Sequence, residues 1–162
     1  MGSNNTSKDL LSISPITNKK YKIPKKIDDK ENIDKFLSKN KNKKIVVVQG
    51  LGYVGSVMAL VCANAIDSEY AVLGIDLPNE NSFWKTQSLN DGEFPLRAED
   101  PKVEQFYRNA LHKGNFYATC DDYVYSLADI VIVDIGLDVQ IKKTINNDIL
   151  EYDVSLSNFK NA

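Results

Sequence analysis

Residues 45–76 constrain this chain more than any other stretch. Ile45-Val46-Val47-Val48 is a short β-branched run bounded by polar and glycine positions, the pattern of a buried strand. Gly50-Leu51-Gly52-Tyr53-Val54-Gly55 follows at once, then the apolar stretch Ser56–Ala65, which reads as a buried helix. Ala71-Val72-Leu73-Gly74-Ile75-Asp76 is a second strand that closes on an acid. Strand, glycine turn, helix and strand within about thirty residues is a βαβ unit, whose crossover is right-handed.

The three glycines have separable tasks in such a turn. Gly50 permits the sharp bend, Gly52 leaves the backbone open to an approaching pyrophosphate, and Gly55 lets the helix pack closely on the strand. The helix N-terminus, at Tyr53 and Val54, offers unpaired N–H groups and the positive end of its dipole to phosphate. Asp76 is placed to accept hydrogen bonds from adenosine ribose hydroxyls. Its charge repels a 2′-phosphate, and the next residue, Leu77, brings no cation, so this reading favours NAD over NADP. The glycine spacing alone is a weak signal, because a ligand-free strand–helix turn uses the same residues. The flanking strands and Asp76 strengthen it.

The rest of the chain extends the same architecture. Ile33, Phe36 and Leu37 predict a short helix at 31–39. Prolines and asparagines punctuate 77–101, where Trp84 is read as packed into an irregular excursion. Val103, Phe106, Tyr107 and Leu111 predict a helix at 102–112, opened by Pro101 and ended by Gly114. Asn115–Thr119 is a third strand, 121–127 a short helix and Ile130–Asp134 a fourth strand. Residues 136–162 are polar and weakly patterned. Alternating buried strands, the nearly all-apolar fourth included, and helices argue for an α/β fold: a Rossmann-like parallel sheet with helices on both faces. Four strands against the usual six make it an apparently truncated one. The domains read as 1–43, a basic extension, partly irregular with a short helix, and 44–162, an NAD-binding domain incomplete at its C-terminus.

Composition narrows the partners. Residues 1–44 hold 12 of the 20 Lys and Arg but 5 of the 22 Asp and Glu, so a basic arm precedes an acidic body. With no arginine, and only Tyr21 and Phe36 as aromatics, the arm is poor material for base stacking or bidentate phosphate contacts. It reads as a solvated leader, and no nucleic-acid partner is expected. The first 15 residues are polar, and the longest apolar stretch, Val54 to Ile66, is too short to span a bilayer; no membrane partner is expected. Cys62 and Cys120 belong to no CxxC pair, and His112 cannot complete a zinc site with them. No disulfide framework is present, and a cytoplasmic location is expected.

Weaker candidates lie at the strand ends. Thr119 stands near the cofactor end of the third strand, and Asp121 suits a helix N-cap. Asp134 and Asp138 either pair as acid and base or cap the next segment. Arg97, Arg108 and His112 read as surface residues, and no nucleophile–base constellation is visible.

From Val47 to Gly55 the sequence resembles the UDP-glucose/GDP-mannose dehydrogenase family. The similarity continues through Gly74-Ile75-Asp76 and into Leu89-Asn90-Asp91-Gly92-Glu93-Phe94-Pro95, which is similar to the family's LN-x-G-x-x-P segment. Ala118–Asp121 and Ala128–Val131 resemble its third- and fourth-strand regions, so the likeness covers about residues 44–135. It implies the NAD-binding portion of an enzyme that oxidises the C6 hydroxyl of a nucleotide-diphosphate sugar to a carboxylate by two hydride transfers. It also implies a homo-oligomeric full-length enzyme that meets its nucleotide-sugar substrate only with a C-terminal half. Asp134-Ile135-Gly136 stands where the family has V-x-T-P, and neither cysteine matches the family's catalytic motif. The alternatives are a stand-alone dinucleotide-binding module and another Rossmann dehydrogenase, such as one acting on hydroxyacids.

Overall fold

The structure, a computed structural model, describes residues 9–145 and 148–160. Its centre is a four-stranded parallel sheet built from β3 (Lys44–Gln49), β4 (Tyr70–Ile75), β5 (Phe116–Thr119) and β6 (Ile130–Val133), in the order β5-β4-β3-β6. β1 (Leu11–Ile13) and β2 (Lys20–Lys22) precede it as a separate antiparallel hairpin. The βαβ unit is present as read: β3 and β4 pair in parallel from Lys44↔Tyr70 to Gln49↔Ile75, joined through α2 (Tyr53–Ala63).

Side chains alternate across β3, so the strand feeds two cores. Val46 and Val48 join Leu60 of α2 and Val103, Tyr107 and Ala110 of α4 (Pro101–Lys113) on one face. Val47 joins Leu73, Val124, and Ile33 and Phe36 of α1 (Lys30–Lys39) on the other. Helices thus cover both faces, as expected. α4 opens on Pro101 behind the N-cap Asp100, whose carboxylate accepts from the Lys102 N–H at 2.9 Å, and ends on left-handed Gly114.

Four expectations need correction. First, from residue 9 onward the arm is not a solvated leader. Ile33 and Phe36 are buried in the second core, contributing about 1.5–3 kcal/mol each, so the boundary at 43 does not separate α1 from the domain. The β1–β2 hairpin, read as irregular, docks on α3 (Phe83–Asn90).

Second, α3 is a helix where the sequence shows only turn residues. It buries Phe83, Trp84, Thr86, Ser88 and Leu89, two of them polar, so no apolar stripe marks a helical period. Its N-cap residue, Ser82, makes no capping bond. Instead the buried Ser12 hydroxyl of β1 accepts from the Trp84 N–H at 2.9 Å and donates to the Glu80 carbonyl at 2.6 Å. A capping interaction worth about 1 kcal/mol is thereby supplied from β1.

Third, β6 is not a buried strand. Among the described residues it pairs with β3 alone, and Ile130, Val131 and Val133 are more than 40% exposed. Fourth, the polar tail carries an antiparallel pair, β7 (Asp138–Ile145) with β8 (Asp148–Ser155), followed by α5 (Ser157–Lys160). The pair forms its own sheet and does not extend the parallel one.

Candidate functional site

The carboxyl ends of β3, β4 and β6 open onto a cleft of about 1070 Å³. The chain runs from β3 outward to β4 and β5, then returns to the opposite side of β3 for β6. The cleft therefore sits at the switch point of the sheet, where open α/β folds bind ligands.

The glycine turn forms its floor. Gly50 has φ +91°, and a Cβ there would lie 2.1 Å from the Asp134 carbonyl oxygen, so neither conformation nor space admits a side chain. A Cβ on Gly55 would lie 1.8 Å from the Gly50 carbonyl oxygen, so the first turn of α2 closes directly on the bend. Gly52 caps α2, lines the cleft and has nothing within 4 Å of its missing Cβ. The helix N-terminus is left open to the cleft at that point.

Asp76 stands at the end of β4 and is heavily engaged. Its Oδ2 accepts from the Leu51 N–H at 3.2 Å and from the Lys85 ammonium at 3.1 Å, while its Oδ1 accepts from the Leu77 N–H at 2.8 Å. The pair is largely sheltered, with side-chain exposures of 17% for Lys85 and 11% for Asp76. The premise that Asp76 has no cation beside it is therefore incorrect: Leu77 brings none, but α3 brings Lys85. Lys85 is the only Lys or Arg between residues 45 and 96, a sequence signal that could have found it. The charged residues lining the cleft are otherwise acidic: Asp76, Asp121, Asp122 and Asp134.

Of the residues predicted to hold a cofactor, Gly50, Gly52, Asp76 and Leu77 come together around the cleft. Leu51 contributes its N–H to Asp76, but its side chain is fully buried against Gly74. Tyr53 and Val54 begin α2 with exposed side chains and do not line the cleft. Gly55 lies beneath the turn. Thr119 is buried, and its hydroxyl donates to the Asp29 carboxylate at 2.7 Å, so it faces the N-terminal arm rather than a ligand.

Sequence reading missed the arm's share of this region. Tyr117 Oη also donates to Asp29, at 3.0 Å, and the Asp29 N–H donates to Asp121 at 2.7 Å. Asp121 caps the 3-10 segment Asp122–Leu127 through the Tyr123 N–H, as expected. Ile27, just before Asp29, lines the cleft.

Two other groups bear on chemistry. The carboxylate of Asp134 comes within 3.0 Å of the Cβ position of Gly55, which sets a negative charge beside the first turn of α2. Cys120 lines the cleft, and burial, reinforced by the charges of Asp76 and Asp29 against a hydrogen bond with Thr86, pushes its thiol up to about 11. It is a thiol rather than a thiolate at neutral pH, and so a poor nucleophile. Burial also raises the Cys62 thiol. Among the described residues, no group of three or more His, Cys, Asp or Glu is placed to hold a metal ion, and no helix is long and apolar enough to cross a membrane.

No protein-family model and no curated protein sequence matches the chain. Solved structures do. The chain is similar to the NDP-N-acetyl-D-galactosaminuronic acid dehydrogenase of Methanosarcina mazei Go1, with a TM-score of 0.60 and 28% identity over 80% of this chain and 26% of that one. It shares its fold with the GDP-mannose dehydrogenase of Pseudomonas aeruginosa, at a TM-score of 0.50 and 23% identity over 73% of this chain and 23% of that one. The chain thus spans about a quarter of the length of these proteins. The resemblance to the N-terminal domain of nucleotide-sugar dehydrogenases is supported over most of the chain.

Proposed function

We propose that this chain is the NAD-binding portion of a nucleotide-sugar dehydrogenase. The observation that carries the reading is the meeting of Gly50, Gly52 and Asp76 in one cleft at the switch point of the sheet. The open backbone at Gly52 and the N-terminus of α2 suit a pyrophosphate. Three protein donors already use three of the roughly four lone-pair sites on the Asp76 carboxylate, which leaves room for a ribose hydroxyl. The residues therefore fit the adenosine half of the cofactor. When bound, that cofactor would supply the hydride acceptor.

The substrate belonging to this reading is a nucleotide-diphosphate sugar, oxidised at C6 to the carboxylate in an oligomeric, cytoplasmic enzyme. This chain alone is assigned cofactor binding without turnover. The raised thiols of Cys62 and Cys120 support that assignment, since neither is an activated nucleophile.

Titration of NADH into the purified chain, followed by nicotinamide fluorescence, tests the reading. Saturable binding that weakens in Asp76→Ala is expected. Absence of binding would overturn it, and oxidation of UDP-glucose by the chain alone would overturn the assignment of binding without turnover.

A further inference from the structure

We propose that Ile27, from the N-terminal arm, packs against the adenine ring of the dinucleotide, so that the arm forms one wall of the base subsite. The inference rests on the cofactor reading above and names a residue outside the sheet that holds the base.

The order of the strands sets where the base falls. The glycine turn, suited to the pyrophosphate, follows β3, and Asp76, suited to the ribose, follows β4. β5 lies next beyond β4 in the order β5-β4-β3-β6, and neighbouring strands are about 4.8 Å apart. A nucleotide laid across the carboxyl edge of the sheet, phosphate at β3 and ribose at β4, brings its base to the end of β5. Cys120, Asp121, Asp122 and Tyr125 follow β5 and line the cleft, and Ile27 lines it with them.

The arm fixes Ile27 at that end. Two residues on, the Asp29 N–H donates to Asp121 Oδ2 at 2.7 Å, and the Asp29 carboxylate accepts from the Thr119 hydroxyl at 2.7 Å. Thr119 is the last residue of β5, so the chain around Asp29 is pinned where that strand ends. On the other side of Ile27, Ile23 is buried and its N–H donates to the Leu10 carbonyl at 2.9 Å. Ile27 is therefore ordered before a ligand arrives, which lowers the entropic cost of the contact.

The chemistry of this end suits a neutral ring. Lys25-Lys26-Ile27-Asp28-Asp29 carries a single apolar side chain in a charged run, and that side chain is half-buried at the cleft. Asp121 and Asp122 line the same end and repel an anionic group. Adenine is uncharged and presents flat faces, whose burial against an aliphatic side chain is favourable.

The test is an NMR titration of the full chain with isotope-labelled isoleucine δ-methyl groups, in which Ile27→Leu identifies the Ile27 resonance. NADH and AMP should both move that methyl upfield through the ring current of the base. Ribose 5-phosphate, which lacks a base, should leave it in place. Affinity for NADH, followed by nicotinamide fluorescence, should fall about tenfold in Ile27→Ala and stay within about threefold in Ile27→Leu. Circular dichroism confirms that each variant folds. If Ile27→Ala does not fold, the methyl shift in the unsubstituted chain still decides the matter.

Binding of NADH that leaves the Ile27 methyl unmoved overturns the proposal and leaves the cofactor reading standing. Full NADH affinity in Ile27→Ala also overturns it, as does an equal methyl shift with ribose 5-phosphate, because the base would then not be the cause. Failure of the unsubstituted chain to bind NADH overturns both readings.

Discussion

The Asp29 carboxylate accepts the Thr119 hydroxyl at 2.7 Å across 90 residues of chain. The same carboxylate takes Tyr117 Oη at 3.0 Å and Asn32 Nδ2 at 2.7 Å, so one side chain fastens the arm to the end of β5. Asp29→Ala takes the acceptor away from the Thr119 and Tyr117 hydroxyl protons, a loss of about 2 kcal/mol, although Thr119 Oγ1 still accepts from the Asp121 N–H. Urea unfolding should show a lower midpoint for Asp29→Ala and no change for the exposed Lys26→Ala. An unchanged midpoint in Asp29→Ala would show that the arm adds no stability.

Gly52 and Gly55 separate binding from folding. A methyl group at Gly55 collides with the Gly50 carbonyl, so Gly55→Ala should destabilise the domain by about 2–3 kcal/mol. Gly52 faces open space, so Gly52→Ala should cost less than about 1 kcal/mol, the penalty of a poorer N-cap. It should nevertheless weaken NADH about tenfold by filling the phosphate approach. Thermal melts and NADH titrations of the two variants check both halves.

Stability should fall at alkaline pH. Burial, followed by Glu93 and Asp91 for Tyr107 and by Asp29 for Tyr117, holds both phenols well above the ordinary tyrosine value of 10.0. A group whose folded pKa is raised stabilises the fold fully below its unfolded pKa and loses that contribution as pH rises through the folded one. The melting temperature should therefore decline above about pH 10, and less steeply in Tyr117→Phe. A flat profile to pH 11 would contradict this.

Asp134 places a carboxylate beside the first turn of α2, where the helix dipole and open N–H groups favour a phosphate. Asp134→Asn removes that competing charge with little change in shape. NADH affinity should rise about three- to tenfold, and more at low ionic strength because the repulsion is screened by salt. Unchanged affinity at low salt would show that the carboxylate lies outside the phosphate path.

Legibility followed the range of the interactions. The strand over residues 44–49, the glycine turn and the strand ending at Ile75 were readable because each is a contiguous pattern whose meaning depends on neighbours in sequence. The helix at 101–113 was readable for the same reason, with Pro101 and Gly114 marking its ends. The helix at 83–90 was not, since it is buried on most sides and capped from Ser12. Asn90 shows the same limit. Its motif was visible, but not its task of exchanging two hydrogen bonds with the Ala118 backbone at the outer edge of β5, which no other strand pairs among the described residues.

The sequence by itself determined a parallel α/β core with a glycine turn and an acid at the end of its second strand, because hydrophobic period and glycine spacing are local properties. Only the tertiary structure decided what surrounds that acid. Lys85 neutralises Asp76, Asp29 claims Thr119, and the basic arm becomes part of the folded domain. Each of these depends on side chains brought together by the packing of helices and arm on the sheet, which no single stretch of sequence encodes.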